Sequence, residues 1–371
     1  MPQIPSRLRA LLPLLMLAAP AVGAQAVLGP AEDATVAPAG TMRMRIANAW
    51  EHWDAYIASA DTSASAYVQA RYTPVSFELG LMKRLSATFI VPGVGTLATA
   101  EWSSFHGPIS IVDSASRVAN NGLGDIEAGA KFAWLAGPSE SERIALSPGL
   151  HLRSAVSAFY RFPTGKGADP TDPFAVPTGS QRGALTLASQ TDFMFGRIFW
   201  FSAVGRYGIP QAVTRPVQVR PPGLPLSTAY PVIDATETGG DFYSLEATPR
   251  VTLGRYFSIG GQYSYVHRDA STFSGSQTVI IGVDTVLVDA ATLGPSTAGT
   301  AQYWSASFTY STIAAYLQGK TSMPIEISFT HTGTISATGA LPPNMVTNAV
   351  TFRVWARLWG QSWKHGLAAS N

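Results

Sequence analysis

From about Thr41 to the end of the chain, apolar and polar residues alternate with a period of two, in segments joined alternately by short and long connections. That rhythm constrains the fold more than any other feature. In DFYSLEATPRVTLG, Tyr243, Leu245, Ala247, Val251 and Leu253 share one face, and Ser244, Glu246, Thr248, Arg250 and Thr252 share the other. Two is the strand period. About twelve segments match this template; they span residues 41–53, 73–83, 86–94, 123–135, 143–161, 182–195, 198–209, 241–253, 256–268, 301–313, 324–336 and 347–359. Short joins fall at Lys83-Arg84-Leu85, GPSESE, Gly196-Arg197, Gly254-Arg255 and LQGKTS. Long ones fall at 54–72, 95–122, 162–181, 210–240, 269–300 and 337–346. An up-and-down meander with turns at one rim and loops at the other gives this order, which marks a bacterial outer-membrane barrel.

Composition decides between a barrel and a soluble sandwich. Charged residues make up 13% of the 371, against roughly 25% in an average soluble domain. A sandwich would turn its polar face to bulk water, where Lys and Glu abound; here that face is rich in Ser, Thr, Gly and Gln, as suits a lumen. Mean hydropathy is only +0.13, too low for a helical membrane bundle. In hydrocarbon every backbone polar group must be paired within the protein, so a closed sheet remains. The net charge of +2 offers nothing to nucleic acid. The absence of cysteine excludes thiolate metal sites, disulfides and a lipoprotein anchor.

Residues 1–24 read as a secretory signal peptide: Arg7 and Arg9 precede an apolar stretch, Ala10 to Val22, and Val22-Gly23-Ala24 fits the small-x-small cleavage rule. Residues 25–40 (ending in VLGPAEDATVAPAG) read as a flexible N-terminal arm, 41–360 as one all-β transmembrane antiparallel barrel of about twelve strands, and 361–371 as a polar tail. Phe195, Phe199, Trp200 and Phe201 cluster beside one short turn, and Trp134, Tyr256, Phe257 and Tyr316 lie near others, as interfacial belts require.

No motif for covalent chemistry stands out. None of the six histidines has Ser two residues on, the pattern of outer-membrane phospholipases. PTGKG lacks the Walker spacing and reads as a loop turn. The expectation is therefore no catalytic residue, no metal and no cofactor. Alternation instead turns a set of charges inward: Arg43, Arg45, Glu51, Glu78, Asp125, Glu127, Lys131, Arg153, Arg161, Asp192, Arg206, Glu246, Arg250, Glu326, Arg353 and Arg357. They read as a polar solute path, as ion pairs bracing neighbouring strands, or as both. The candidate pore-lining residues are His151, Arg153, Arg161, Arg206, Glu246, Arg250, Arg353, Arg357, Glu127 and Lys131.

Three stretches carry a resemblance: FELGLMKRLSATFIVPGVG (Phe77 to Gly95), NNGLGDIEAGAKFAWL (Asn120 to Leu135) and LSPGLHLRSAVSAFYRFPTGKG (Leu146 to Gly167). They resemble outer-membrane proteins known as transporters of the MetA pathway of phenol degradation, similar in style to FadL-type channels for hydrophobic compounds. The GLGD-x-E-x-GAK strand, followed by a strand ending in PTGK, is the most specific element. The likeness covers the middle third of the chain; the C-terminal half shares only the barrel pattern. It implies passive uptake of small, hydrophobic or aromatic molecules across the outer membrane. Residues 25–40 are shorter than the hatch that plugs FadL-type lumens. The expected partners are outer-membrane lipid and a small solute, without nucleic acid. The alternative is a structural or adhesive barrel whose long loops, such as Pro-rich 210–240, bind a partner.

Overall fold

The computed structural model describes residues 33–58, 62–106, 109–137, 146, 148–170, 177–219, 231–281 and 284–359. The expected leader (1–24), the first part of the arm and the tail (361–371) lie outside the described residues. Strands run in the order β1 (Thr41–Ala58), β2 (Thr62–Met82), β3 (Leu85–His106), β4 (Ile109–Leu123), β5 (Glu127–Leu135), β6 (Leu150–Arg161), β7 (Ala184–Phe195), β8 (Phe199–Pro210), β9 (Val213–Gln218), β10 (Val232–Thr238), β11 (Phe242–Leu253), β12 (Phe257–Arg268), β13 (Thr272–Ser274), β14 (Ser276–Ile281), β15 (Asp284–Asp289), β16 (Gly299–Ser311), β17 (Ile325–Gly339) and β18 (Val346–Arg357). One short helix, α1 (Ile313–Leu317), follows β16.

The alternating segments form a closed antiparallel wall. β1 pairs with β2 on one side and with the last strand, β18, on the other. The circuit continues through β3, β5, β6, β7, β8, β11, β12, β16 and β17. β4 pairs with β3 from Gly93 upward and β5 pairs with it from Leu85 to Ile90, so β4 and β5 are one strand interrupted at Gly124–Ile126. Gly124 bridges the interruption by donating its N–H to the Pro92 carbonyl at 2.8 Å. The result is a twelve-strand barrel, and each of the sequence segments supplies one wall strand.

Period two separates the faces. Phe89, Leu152, Leu187, Leu245, Ile259, Phe308, Phe329 and Val350 stand exposed around the outside. Such a continuous apolar girdle suits hydrocarbon and not water. Six wall strands, β6, β7, β8, β11, β12 and β18, are 12 residues long, close to what a tilted strand needs to cross a bilayer. Aromatic rings pair on the outer wall at both ends. Phe195–Phe199 (5.6 Å) and Phe257–Phe308 (5.5 Å) lie toward the short turns; Tyr243–His267 (4.9 Å) and Trp304–His331 (5.4 Å) lie toward the long loops. Gly196 (φ 56°) and Gly254 (φ 66°) start two of the tight turns in the left-handed conformation that glycine adopts without penalty.

Three expectations change. Residues 54–72 and 95–122 are largely strand, because β1 to β4 continue as hairpins beyond the apolar girdle. β6 begins at Leu150 rather than near residue 143, since Pro148 has no N–H and Gly149 has φ 137°; Ile144 lies outside the described residues. The long joins 210–240 and 269–300 are partly folded: β9, β10 and β13 form one small sheet and β14–β15 another. Val217, Ile233, Phe273, Val288 and Leu293 give these lobes their own apolar core; residues 220–230 lie outside the described residues.

Candidate functional site: the barrel interior

An eight-strand barrel is filled by its own side chains, whereas sixteen strands leave an aqueous channel. Twelve lie between, so what occupies the interior decides what passes. The inward face carries charge as ion pairs between adjacent strands. Arg153 on β6 faces Asp192 on β7, Nε to Oδ2 2.5 Å. Arg161 on β6 faces Glu127 on β5 at 2.9 Å, and Arg353 on β18 faces Glu326 on β17 at 2.8 Å. Arg43 meets Glu78 across β1–β2, and Arg206 meets Glu246 diagonally across β8–β11. Directly opposed opposite charges stabilise neighbouring strands, and in a confined lumen each charge needs a partner.

The described part of the N-terminal arm, residues 33–40, lies inside the barrel and is hydrogen-bonded to its inward face. Ala37 donates its N–H to Glu78 Oε1 at 3.1 Å, and Ala34 donates its N–H to Asp192 Oδ2 at 3.0 Å. Lys131 Nζ donates to the Asp33 carbonyl at 3.1 Å. Residues 33–40 thus cross from β1, past β2 and β5, to β7 on the far side of the ring, near the short-turn end. Gly80 permits this: a methyl group there would overlap the Ala37 and Pro38 carbonyl oxygens. Asp33 is buried, a condition that disfavours its charge. Even so, Arg153, Arg43, Lys131 and Arg353 nearby hold its carboxyl well below the usual carboxylate range.

Beside the arm, one step closer to the short turn than Asp192 on the same face, Trp200 is buried with the guanidinium carbons of Arg153 and Arg250 at 4.6 Å and 5.2 Å from its ring centroid. Its placement corrects its assignment to an outer belt: Phe199 and Phe201 face out, and the residue between them must face in. Of the candidate pore-lining residues, Arg153, Arg161, Arg206, Glu246, Arg353 and Glu127 stand in the inward ion pairs, and Lys131 holds the arm. Arg250 lies over Trp200, and His151 is half-buried two residues before Arg153. Arg357 departs from expectation. It ends β18, is exposed, and donates from Nε to the Trp359 carbonyl at 3.1 Å, so it belongs to the rim.

The other end holds a cluster the alternation did not reveal, because Arg215 and Glu237 lie in a long join and Arg182 at the very end of its segment. Arg182 and Arg215 both bind Glu237, at 2.6 Å and 2.7 Å. Burial disfavours charge on Glu237, but the two guanidiniums hold its carboxyl below the usual value. Asp125, in the β4–β5 interruption, accepts hydrogen bonds from Gly165 N at 2.9 Å, Ser180 N at 2.7 Å and Ser180 Oγ at 2.7 Å. The two most specific sequence motifs, GLGD and PTGK, therefore meet at one carboxylate that ties the 162–183 join to the wall.

An apolar outer girdle, a closed twelve-strand ladder and a charged interior together define a transmembrane β-barrel of the outer-membrane type. Among solved structures, an outer-membrane channel from Pseudomonas putida F1 is similar in fold. It has a TM-score of 0.54 and 11% identity over 88% of this chain and 100% of that one. The transport unit of the autotransporter AIDA-I from Escherichia coli (TM-score 0.40, 10% identity, 85% and 90% covered) and the NanC porin (TM-score 0.36, 8% identity, 84% and 98% covered) are more distant. No protein-family model matches the sequence, and neither does any curated protein.

Proposed function

We propose that the protein is an outer-membrane channel for passive passage of small molecules, with the short-turn end facing the periplasm, and that its solutes are hydrophobic or aromatic. The observation that carries this reading is the occupied interior. A wall of twelve strands encloses more room than its side chains need, and hydrogen bonds, with the cations around Asp33, hold the arm across it. Each of these bonds involves a charged group and is worth about 1.5–3 kcal/mol net, a barrier to release that thermal opening can still cross. Inward rings, Trp53, Tyr72, Trp200, Tyr303 and Trp355, offer apolar contact between the ion pairs, which favours aromatic solutes over sugars or inorganic ions. The resemblance to the phenol-degradation transporters points the same way. The lumen charges bind one another across strands and serve as braces first, with no part in bond-making.

The test is uptake by proteoliposomes. Vesicles holding the folded protein are expected to take up an aromatic solute that does not cross bilayers unaided, such as benzenesulfonate, faster than empty vesicles. Equal rates would remove the channel reading. The adhesive alternative has one observation of its own, the outer lobes with a separate apolar core, and equal rates would favour it.

A further inference from the structure

Almost every carboxylate that faces the interior or its mouth meets a cation or a set of amides. Glu78, Glu127, Asp192, Glu246 and Glu326 each pair with an arginine, Glu237 pairs with two, and Asp125 is held by Gly165 and Ser180. Glu51 breaks the pattern. It is 4% exposed on the inward face of β1, Oε2 accepts no hydrogen bond, and no ion pair among the described residues involves it.

Its surroundings are polar and unsatisfied in the same way. Glu51 faces Thr347 on β18, whose Oγ1 has no hydrogen-bond partner. The buried hydroxyls of Tyr72 and Tyr303 also lack one, and the ladder from β1 through β18 and β17 to β16 sets Glu51, Thr347, Thr332 and Ser305 in one row, two residues from Tyr303. Tyr72 stands opposite Ala49, two residues along from Glu51 on the same face, and Trp53 is the next inward side chain above it. Ala47, Ala49 and Ala349 keep the wall beside this cluster small. A carboxylate, three hydroxyls and three aromatic rings therefore lie within two residues of one level of the lumen, toward the long-loop end.

Four unsatisfied buried polar groups in one place form a template for a ligand that supplies donors. The carboxylate selects charge, because burying it unpaired is costly and a cation relieves that cost. The rings select an organic cation, since ammonium groups are drawn to aromatic faces and the carbon body is drawn to their apolar surface. We infer that Glu51, with Tyr72, Tyr303 and Thr347, forms a lumen subsite for a protonated amine carried on an apolar body, an arylalkylammonium ion being the simplest. This deepens the channel reading and rests on it for its biological sense: the site lies on the path a solute takes and selects among apolar solutes by charge.

Calorimetric titration of the full-length folded protein in detergent tests it, with 2-phenylethylammonium and its neutral analogue 2-phenylethanol as probes. The native protein is expected to bind the ammonium at least about tenfold more tightly, a difference near 1.4 kcal/mol. Glu51→Gln keeps the shape and removes the charge, and is expected to bind both probes alike. Thr347→Val keeps the charge and is expected to retain the preference, at weaker affinity. Equal binding of the two probes by the native protein, no binding of either, or an unchanged preference in Glu51→Gln would each overturn the inference. If Glu51→Gln does not fold, the native comparison alone decides. Binding with no uptake in vesicles would leave this subsite standing and remove the channel reading; uptake without discrimination in binding would do the reverse.

Discussion

Asp192 shows how much one lumen residue does. Its carboxylate accepts from Arg153 Nε at 2.5 Å, from Ser202 Oγ at 2.7 Å and from the Ala34 amide at 3.0 Å, joining β6, β7, β8 and the arm. Removing one partner of a buried pair strands the other charge, at a cost of about 3–5 kcal/mol. Arg153→Ala is therefore expected to lower unfolding stability in lipid vesicles by roughly that amount, read from urea melts. Arg357→Ala at the exposed rim is expected to change it by less than about 0.5 kcal/mol. Alternation told which way each of these side chains points. It did not tell which charge meets which, because Glu51 and Thr347 face each other only after β1 has closed on β18. The isolation of Glu51 was invisible for the same reason. Trp200 lies inward although rings flank it on both sides, because alternation between the outward Phe199 and Phe201 fixes its face.

Among the elements, the wall strands were legible and their extensions were not. A strand betrays itself by alternation only where its two faces meet different media. β7, β11 and β12 do so from end to end, lipid outside and lumen inside. The hairpins of β1 to β4 leave the girdle, and there stretches such as TSASAYVQA and TLATAEW lose the large apolar residues that mark a lipid face. The tie between GLGD and PTGK belongs to this scale as well. Asp125 accepts three hydrogen bonds from the 162–183 join, all of them charge-assisted. Asp125→Asn weakens all three and is expected to speed tryptic cleavage at Lys166 or Arg182 by about tenfold, the effect of some 1.4 kcal/mol on local opening, while the barrel keeps its heat-modifiable migration on detergent gels. An unchanged cleavage rate would mean that the join is held elsewhere.

For the molecule as a whole, the 13% charge content is the average of two opposite faces. The outer one meets hydrocarbon and shows Phe, Leu and Ile; the inner one holds a few charges in pairs. The sequence pattern carried that architecture and the number of wall strands, but not the position of the arm. VLGPAEDATVAPAG has no period and reads as linker, yet residues 33–40 are pinned because their backbone amides, which no sequence pattern displays, find lumen carboxylates. The central claim is that the barrel is a passage obstructed at one end by this segment. Single-channel recording in planar bilayers tests it most directly, comparing the native chain with the double substitution Ala34→Pro/Ala37→Pro, which deletes the two amide donors to Asp192 and Glu78 and leaves both carboxylates in place. The native protein is expected to show small unitary currents and the variant distinctly larger ones. Identical currents would contradict the arm's role as the obstruction, and silence in both proteins would contradict the passage itself.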